Sequence, residues 1–144
     1  MPLLVENRSG GRVDLRALRR RLARVLKALE LGPEEEVSLS IVDDQEMAAL
    51  NQEWLGRQGP TNVLAFSQRE GPAGPQGHLL GDVVVSLDTC VREAAAGGLE
   101  PDQHLLRLII HGLLHLLGYE HEKGGPRARR MSDLTEELLA QAGA

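Results

Sequence analysis

The length, composition and charge of the chain describe one small globular domain. With 144 residues it can build one compact core and is too short for two domains of ordinary size. Charged residues make up 26% and hydrophobic residues 42%, which excludes an intrinsically disordered or fibrous protein. The net charge of −5 argues against a nucleic-acid partner, but it hides a cluster of basic residues between positions 12 and 27.

The sequence predicts a cytoplasmic protein without a membrane partner. The longest uncharged apolar run, residues 108–119, is too short and too polar to span a bilayer. The first ten residues lack the basic and long apolar parts of a signal peptide. The single cysteine, Cys90, excludes an internal disulfide and suits a reducing compartment.

Strand and helix patterns alternate in the first half of the chain. We predict a strand at residues 3–5, a helix from Asp14 to about Leu31 with arginines on its outer face, and a strand at 37–41. Asp43 and Glu46 form a capping box, which predicts a helix whose apolar side is Met47, Leu50 and Trp54. Gly56 should end this helix.

The second half of the chain continues the alternation. A short strand is predicted at residues 62–66, a loop at 71–77 and a central strand at the β-branched run 83–85. Helices follow at 88–97, at 101–117 with Gly118 as its stop, and at 126–140. The order of elements predicts a single α/β domain covering residues 1–144.

Three histidines near the end of the fourth predicted helix form the strongest chemical signal. His111 and His115 are four residues apart and therefore lie on one helix face. After Gly118 the chain can turn so that His121 supplies a third nitrogen. Three imidazoles suit one zinc ion per chain and leave a fourth tetrahedral position for water, as in catalytic zinc sites. His104 is seven residues before His111, about 10 Å along the helix, which is too far to share the ion.

The residue after the first histidine argues against one class of zinc enzyme. A zinc peptidase normally has a glutamate there as its general base, and this chain has Gly112. The metal ligands of such an enzyme are therefore present, and its usual general base is missing.

These motifs resemble the YbeY family of bacterial endoribonucleases and rRNA maturation factors. The segment HGLLHLLGYEH at residues 111–121 matches the family signature HGxLHLxGYDH except for Glu120 in place of aspartate. PTNVLAF at 60–66 resembles the family's PT(D/N)VLSFP, and Leu50-Asn51 and LGDV at 80–83 also agree. Order, spacing and length match over nearly the whole chain.

The resemblance implies a fold and an activity. The fold is α/β (α+β), with a small mixed sheet flanked by helices and a central metal-binding helix. The activity is zinc-dependent, single-strand-specific cleavage of RNA, with the 16S rRNA precursor as substrate and the small ribosomal subunit or its proteins as partners. The implied role is 16S rRNA 3′-end maturation and small-subunit quality control.

The sequence departs from the family pattern at the position of the proposed catalytic arginine. The family's proposed catalytic arginine follows an aromatic residue, four positions after the asparagine; here Trp54 holds the aromatic place and Leu55 the arginine's. Arg57 is the nearest guanidinium that could stabilise the charge of the transition state. Two alternatives stay open: a non-catalytic assembly factor with a structural zinc, and a zinc metallopeptidase.

Four further residues are candidates for supporting the site. Asp82, and similarly Glu120, could orient a ligand imidazole, although Asp82 could equally cap a strand end. Thr61 and Asn62 could offer hydroxyl and amide donors to phosphate or ribose, or form a turn.

The outer face of the first predicted helix is rich in arginine. It could bind RNA or a ribosomal protein, and the alternative is a solvated helix face. The candidates are Arg16, Arg19, Arg20 and Arg24. With only Trp54, Phe66 and Tyr119 as aromatic residues, we expect RNA to be held by charge and by the metal rather than by stacking on a platform of rings.

Overall fold

A computed structural model describes residues 3–31, 35–67, 79–119 and 125–143. The predicted loop at 71–77 lies outside these residues. In chain order the elements are β1 (Leu3–Asn7), α1 (Leu15–Ala28), β2 (Glu36–Val42), α2 (Asp44–Leu55), β3 (Val63–Ser67), β4 (Leu79–Ser86), α3 (Leu87–Gly97), α4 (Pro101–Leu116) and α5 (Gly125–Ala142). The predicted order of strands and helices is confirmed.

The strands form one mixed sheet in the order β1-β2-β4-β3. β1 and β4 both run parallel to β2. β3 runs antiparallel to β4, pairing Val63 with Val85 and Phe66 with Asp82. The run of valines at 83–85 therefore lies in an interior strand, as predicted, and β3 lies at an edge of the sheet.

Helices cover both faces of the sheet, and α4 lies at the centre of the larger layer. α4 packs on β3 and β4, and it also contacts α3, α5 and α1. Most of its residues are buried, from His104 near its start to Leu116 at its end. α2 packs on the opposite face, where Met47 joins a smaller cluster with Val42, Leu64 and Val84. The predicted mixed sheet flanked by helices is confirmed.

Local signals set most of the helix ends. The side chain of Asp14 accepts a hydrogen bond from the Ala17 amide, and that of Asp43 accepts one from the Glu46 amide. Gly56 ends α2 in the left-handed conformation at φ 64°. α1 ends at Ala28, about one turn earlier than predicted, because Glu30 turns the chain with φ 57°.

One predicted core residue is on the surface. Trp54 was expected on the apolar side of its helix, and this expectation is wrong because its side chain is 64% exposed. The last turn of α2 carries Trp54 beside Phe66 of the edge strand, with 6.1 Å between the ring centroids. Within the described residues, no helix is long and apolar enough to cross a membrane.

Candidate functional site

Two histidines of α4 face the same way, as their spacing predicts. The rings of His111 and His115 are T-shaped to each other, with 5.0 Å between their centroids and 71° between their planes. Both side chains are half-buried. Because α4 is fixed on the sheet by its buried residues, both imidazoles are held in place at one side of the helix.

Gly112 allows the helix to approach the sheet closely. A Cβ atom at this position would lie 2.7 Å from Cγ1 of Val83 and 3.2 Å from Cγ2 of Val63. The contact brings His111 and His115 next to β3. It also leaves no room for the glutamate that a zinc peptidase has at this position.

The end of α2 brings a second group of side chains to the same place. Gly56 reverses the chain, and the amide of Arg57 then donates a hydrogen bond to the Asn51 carbonyl. Asn51 is buried, and its Nδ2 donates to the Gly59 carbonyl at 2.9 Å. Asn51 thus fixes the loop that carries Arg57 and Thr61, a role that its place in the family motif does not itself reveal.

The two groups line one pocket of about 340 Å³ at the outer edge of β3. His111 and His115 form one wall, residues 63–65 of β3 form the base, and Leu55, Arg57, Thr61 and Asn62 form the other wall. The structure therefore brings five predicted site residues together, although they come from two distant parts of the sequence. Leu55, which is 44% exposed, also lines this pocket with its apolar side chain.

The pair of imidazoles suits a transition-metal ion such as zinc, because their nitrogens are borderline-soft ligands. Within residues 3–31, 35–67, 79–119 and 125–143, no group of three His, Cys, Asp or Glu side chains is placed to hold a metal ion. His121, the third predicted ligand, and Glu120 lie outside the described residues. The complete ligand set therefore stays a prediction.

A hydrogen-bond network that sequence reasoning missed lies behind Asn62. Nδ2 of Asn62 donates to both carboxylate oxygens of Glu93, at 3.4 and 3.2 Å. Glu93 Oε1 is 2.8 Å from Nε2 of His104, which is 8% exposed. His104 lies two helical turns before His111, and its rejection as a metal ligand agrees with this separate partner. The sequence signal for the network was a histidine in the apolar stretch of α4.

Asp82, predicted either to orient a ligand imidazole or to cap a strand end, lies on the sheet face that points away from α4. Asp82 lies inside β4 and pairs with Phe66, so it shares the sheet face of Leu64 and Val84. Val83 and Gly81 point to the other face, towards α4. The sheet therefore separates the Asp82 carboxylate from His111 and His115.

The candidate RNA-binding arginines lie far from this pocket. α1 packs against β1 and α5, whereas the pocket is at β3, the opposite edge of the sheet. Arg16 and Arg20 are exposed. Arg19 and Arg24 instead donate hydrogen bonds to the backbone carbonyls of Leu3 and Ala142. Two of the four candidates thus form hydrogen bonds within the protein.

A larger cavity, of about 640 Å³, lies at the carboxyl ends of the parallel strands and contains no predicted site residue. Its central charge, Asp44, accepts hydrogen bonds from Ser86, Thr89 and Arg92, each at 2.6 Å. Burial alone would raise the pKa of Asp44, but these hydrogen bonds and the positive charge of Arg92 lower it to about 2. The interactions explain Asp44 as a structural link between α2 and α3.

The family model described as Endoribonuclease YbeY matches residues 5–143. The Endoribonuclease YbeY of Syntrophus aciditrophicus is 46% identical over 129 residues, which cover 89% of this chain and 80% of the relative. The Endoribonuclease YbeY of Syntrophotalea carbinolica is 41% identical over 140 residues, covering 95% of this chain and 93% of the relative.

A solved structure supports the fold. The solution structure of the protein TM1509 from Thermotoga maritima superimposes with a TM-score of 0.66. The match covers 96% of this chain and 89% of that protein at 22% sequence identity. At this identity the likeness concerns the arrangement of strands and helices alone.

Proposed function

The chain belongs to the YbeY endoribonuclease family, and we propose that it is a zinc-dependent endoribonuclease specific for single-stranded RNA. Family membership indicates an enzyme that hydrolyses RNA. The observation that supports the finer assignment is the pocket of about 340 Å³ at the edge of β3, which His111, His115 and Arg57 all line. In this proposal the pocket receives a phosphodiester group between the predicted metal ligands and a cation.

In this proposal His111, His115 and His121 hold one zinc ion. When bound, zinc supplies a Lewis acid for a phosphoryl oxygen and makes water a better nucleophile at neutral pH. The close approach of Gly112 to Val83 fixes this part of α4 on the sheet, and with it the helix turn that carries His111 and His115. Rigid ligands keep the geometry of the site fixed during the reaction.

Arg57 is the residue that we assign to transition-state charge. Its guanidinium lines the same pocket as the histidines, and its loop is fixed by the hydrogen bonds of Asn51. A positive charge held there would stabilise the additional negative charge on the phosphoryl oxygens. Thr61 also lines this pocket, and its hydroxyl can donate a hydrogen bond to a neighbouring phosphate oxygen.

We assign the 16S rRNA precursor as the substrate, with cleavage in 3′-end maturation and small-subunit quality control in the cytoplasm. The small ribosomal subunit or its proteins would then be partners. The exposed Arg16 and Arg20 of α1 are available for such contacts, although they would act away from the pocket. Footprinting of the protein on small subunits, with and without the Arg16→Ala and Arg20→Ala changes, would test this assignment.

The deciding experiment compares zinc-loaded wild-type protein with His115→Ala on a labelled single-stranded RNA. Gln45→Ala, an exposed change at the far end of α2, is the matched control. We expect cleavage by the wild type and the control, and loss of both cleavage and stoichiometric zinc in His115→Ala. Equal cleavage by wild type and His115→Ala, at equal purity, would mean that the activity belongs to a contaminant.

A second candidate is an assembly factor whose zinc only stabilises the fold. The observation in its favour is Leu55, an apolar side chain in the pocket where the family places an arginine. It predicts that chelation lowers the melting temperature while the folded, zinc-loaded protein leaves RNA intact. A zinc peptidase is disfavoured because a glutamate at position 112 would collide with Val83.

A further inference from the structure

Asn62 has a fixed orientation because of the residue behind it. An ionised carboxylate can only accept hydrogen bonds, so the atom of the Asn62 amide that faces Glu93 must be the nitrogen. The carbonyl oxygen, Oδ1, is then on the other side of the planar amide. Within the described part of the chain Oδ1 accepts no hydrogen bond, and Asn62 lines the pocket.

Glu93 is itself held from behind by His104. The carboxylate requires the hydrogen of the imidazole on Nε2, which lies 2.8 Å from Oε1. The hydrogen on Nε2 is therefore directed at Glu93, and the contacts among the three residues tie the loop before β3 to α3 and α4.

The contact with Glu93 bears on the donor role that the sequence suggested for Asn62, which stays a prediction. As an amide donor it could have bound a phosphate oxygen, but the nitrogen is directed to Glu93. The nitrogen, with its two hydrogens, lies on the side of Glu93, and the oxygen lies on the opposite side of the amide. This oxygen is an acceptor, which phosphate oxygens repel and which hydroxyl or amino hydrogens match. The pocket also contains Arg57 and the histidines assigned to the phosphate, and the group bonded directly to a phosphate in RNA is the ribose.

We propose that Oδ1 of Asn62, oriented by Glu93 and His104, accepts a hydrogen bond from a ribose 2′-hydroxyl and so distinguishes RNA from DNA. The inference rests on the proposed function for the nature of the ligand. The 2′-hydroxyl is the group that allows a protein to separate the two nucleic acids at one site. Asn62 would be a specificity residue, and Glu93 and His104 would be positioning residues.

The test uses a short fluorescent RNA without uridine and the DNA of the same sequence, which differ only in the 2′-hydroxyls. Dissociation constants are measured by anisotropy, read in the cold before cleavage has begun, for the zinc-loaded wild type, Asn62→Ala, Glu93→Gln and the control Gln45→Ala. A gel verifies that each strand stays intact, and thermal unfolding verifies the fold.

We expect the wild type and the control to prefer RNA. Asn62→Ala should weaken RNA binding by roughly two- to tenfold, the range of one net hydrogen bond, while DNA binding stays unchanged. Glu93→Gln should reduce the preference less, because a glutamine amide can face Asn62 with either its oxygen or its nitrogen. A conservative change that lowers selectivity without lowering stability would mark Glu93 as a positioning residue.

The proposal is overturned if the wild type binds both strands equally, or if Asn62→Ala weakens both by the same factor, as a contact to a base would. Cleavage of RNA by the wild type is scored separately. A selectivity that responds to Asn62 without any cleavage would support the acceptor and contradict the endoribonuclease assignment. Cleavage of RNA by the wild type, with a selectivity that Asn62→Ala leaves unchanged, would support the endoribonuclease assignment and contradict the acceptor.

Discussion

Replacing Gly112 by alanine should move α4 away from the sheet. The new Cβ would be 2.7 Å from Cγ1 and 3.3 Å from Cγ2 of Val83, and 3.2 Å from Cγ2 of Val63. Ordinary carbon contacts are about 3.5–4.0 Å, so the two surfaces must separate by about 1 Å at this point. Val83 cannot yield easily, because it is fully buried and β-branched.

The expected size follows from two opposing effects. Alanine favours a helix interior over glycine by about 1 kcal/mol. Overpacking of a core costs about 1–3 kcal/mol, and contacts with two stiff side chains place this site in the upper part of that range. We therefore expect Gly112→Ala to lower the free energy of unfolding by about 1–2 kcal/mol, measured by urea denaturation.

A second glycine provides the control. A Cβ at Gly97, the last residue of α3, would meet Leu99 at 3.4 Å and nothing closer, so Gly97→Ala should be neutral or stabilising. Combining Gly112→Ala with Val83→Ala should cost less than the two changes summed, since the smaller residue removes the collision. The reasoning is refuted if Gly112→Ala is as stable as the wild type, or if it behaves like Gly97→Ala.

Three further outcomes are expected. Leu55→Arg, which puts a guanidinium where the family has one, should raise the kcat for RNA cleavage about tenfold or more. Arg57→Ala should lower the kcat by a similar factor. An unchanged kcat in both variants would mean that no arginine in this pocket stabilises the transition state. The pKa of Asp44, lowered to about 2 from 3.8, means that its stabilising contribution is present above about pH 4 and is lost as the pH falls towards 2. Asp44→Asn should therefore flatten the acid limb of a stability curve measured from pH 5 to pH 2, and an unaltered slope would contradict the ion pair. Burial, with nearby Glu93 and Asp102, raises the pKa of the Cys90 thiol to about 12. The native protein should therefore react slowly with Ellman's reagent at pH 8 and rapidly in urea. A fast reaction of the native protein would mean that the core around Cys90 opens.

The sequence was most informative where the determinants are local. The caps at Asp14 and Asp43 and the glycine at position 56 act within a few residues, and each bounds its helix as predicted. The second half of the predicted capping box does not form, because the Glu46 carboxylate pairs with Arg8. The spacing of His111 and His115 likewise fixes their shared face. Periodicity and capping are properties of short segments, which explains their success.

The errors concern relations between distant segments. A continuous run of valines does not indicate which face of the sheet each residue takes, so the face of Asp82 could not be predicted. The apolar spacing of α2 placed Trp54 in the core, but its last turn lies at the edge strand and leaves the ring exposed. The link between Asn62, Glu93 and His104 joins three elements, and only the assembled fold brings them within hydrogen-bonding distance.

The exposure of Trp54 also has a practical consequence for spectroscopy. It is the only tryptophan in the chain, it is 64% exposed in the native state, and its neighbour Leu55 lines the pocket. Its fluorescence should therefore change little when the protein unfolds, because the indole is already largely in water. A nucleic acid that approaches the pocket would quench or shift the same emission, so the protein has an intrinsic optical reporter of occupancy rather than of folding.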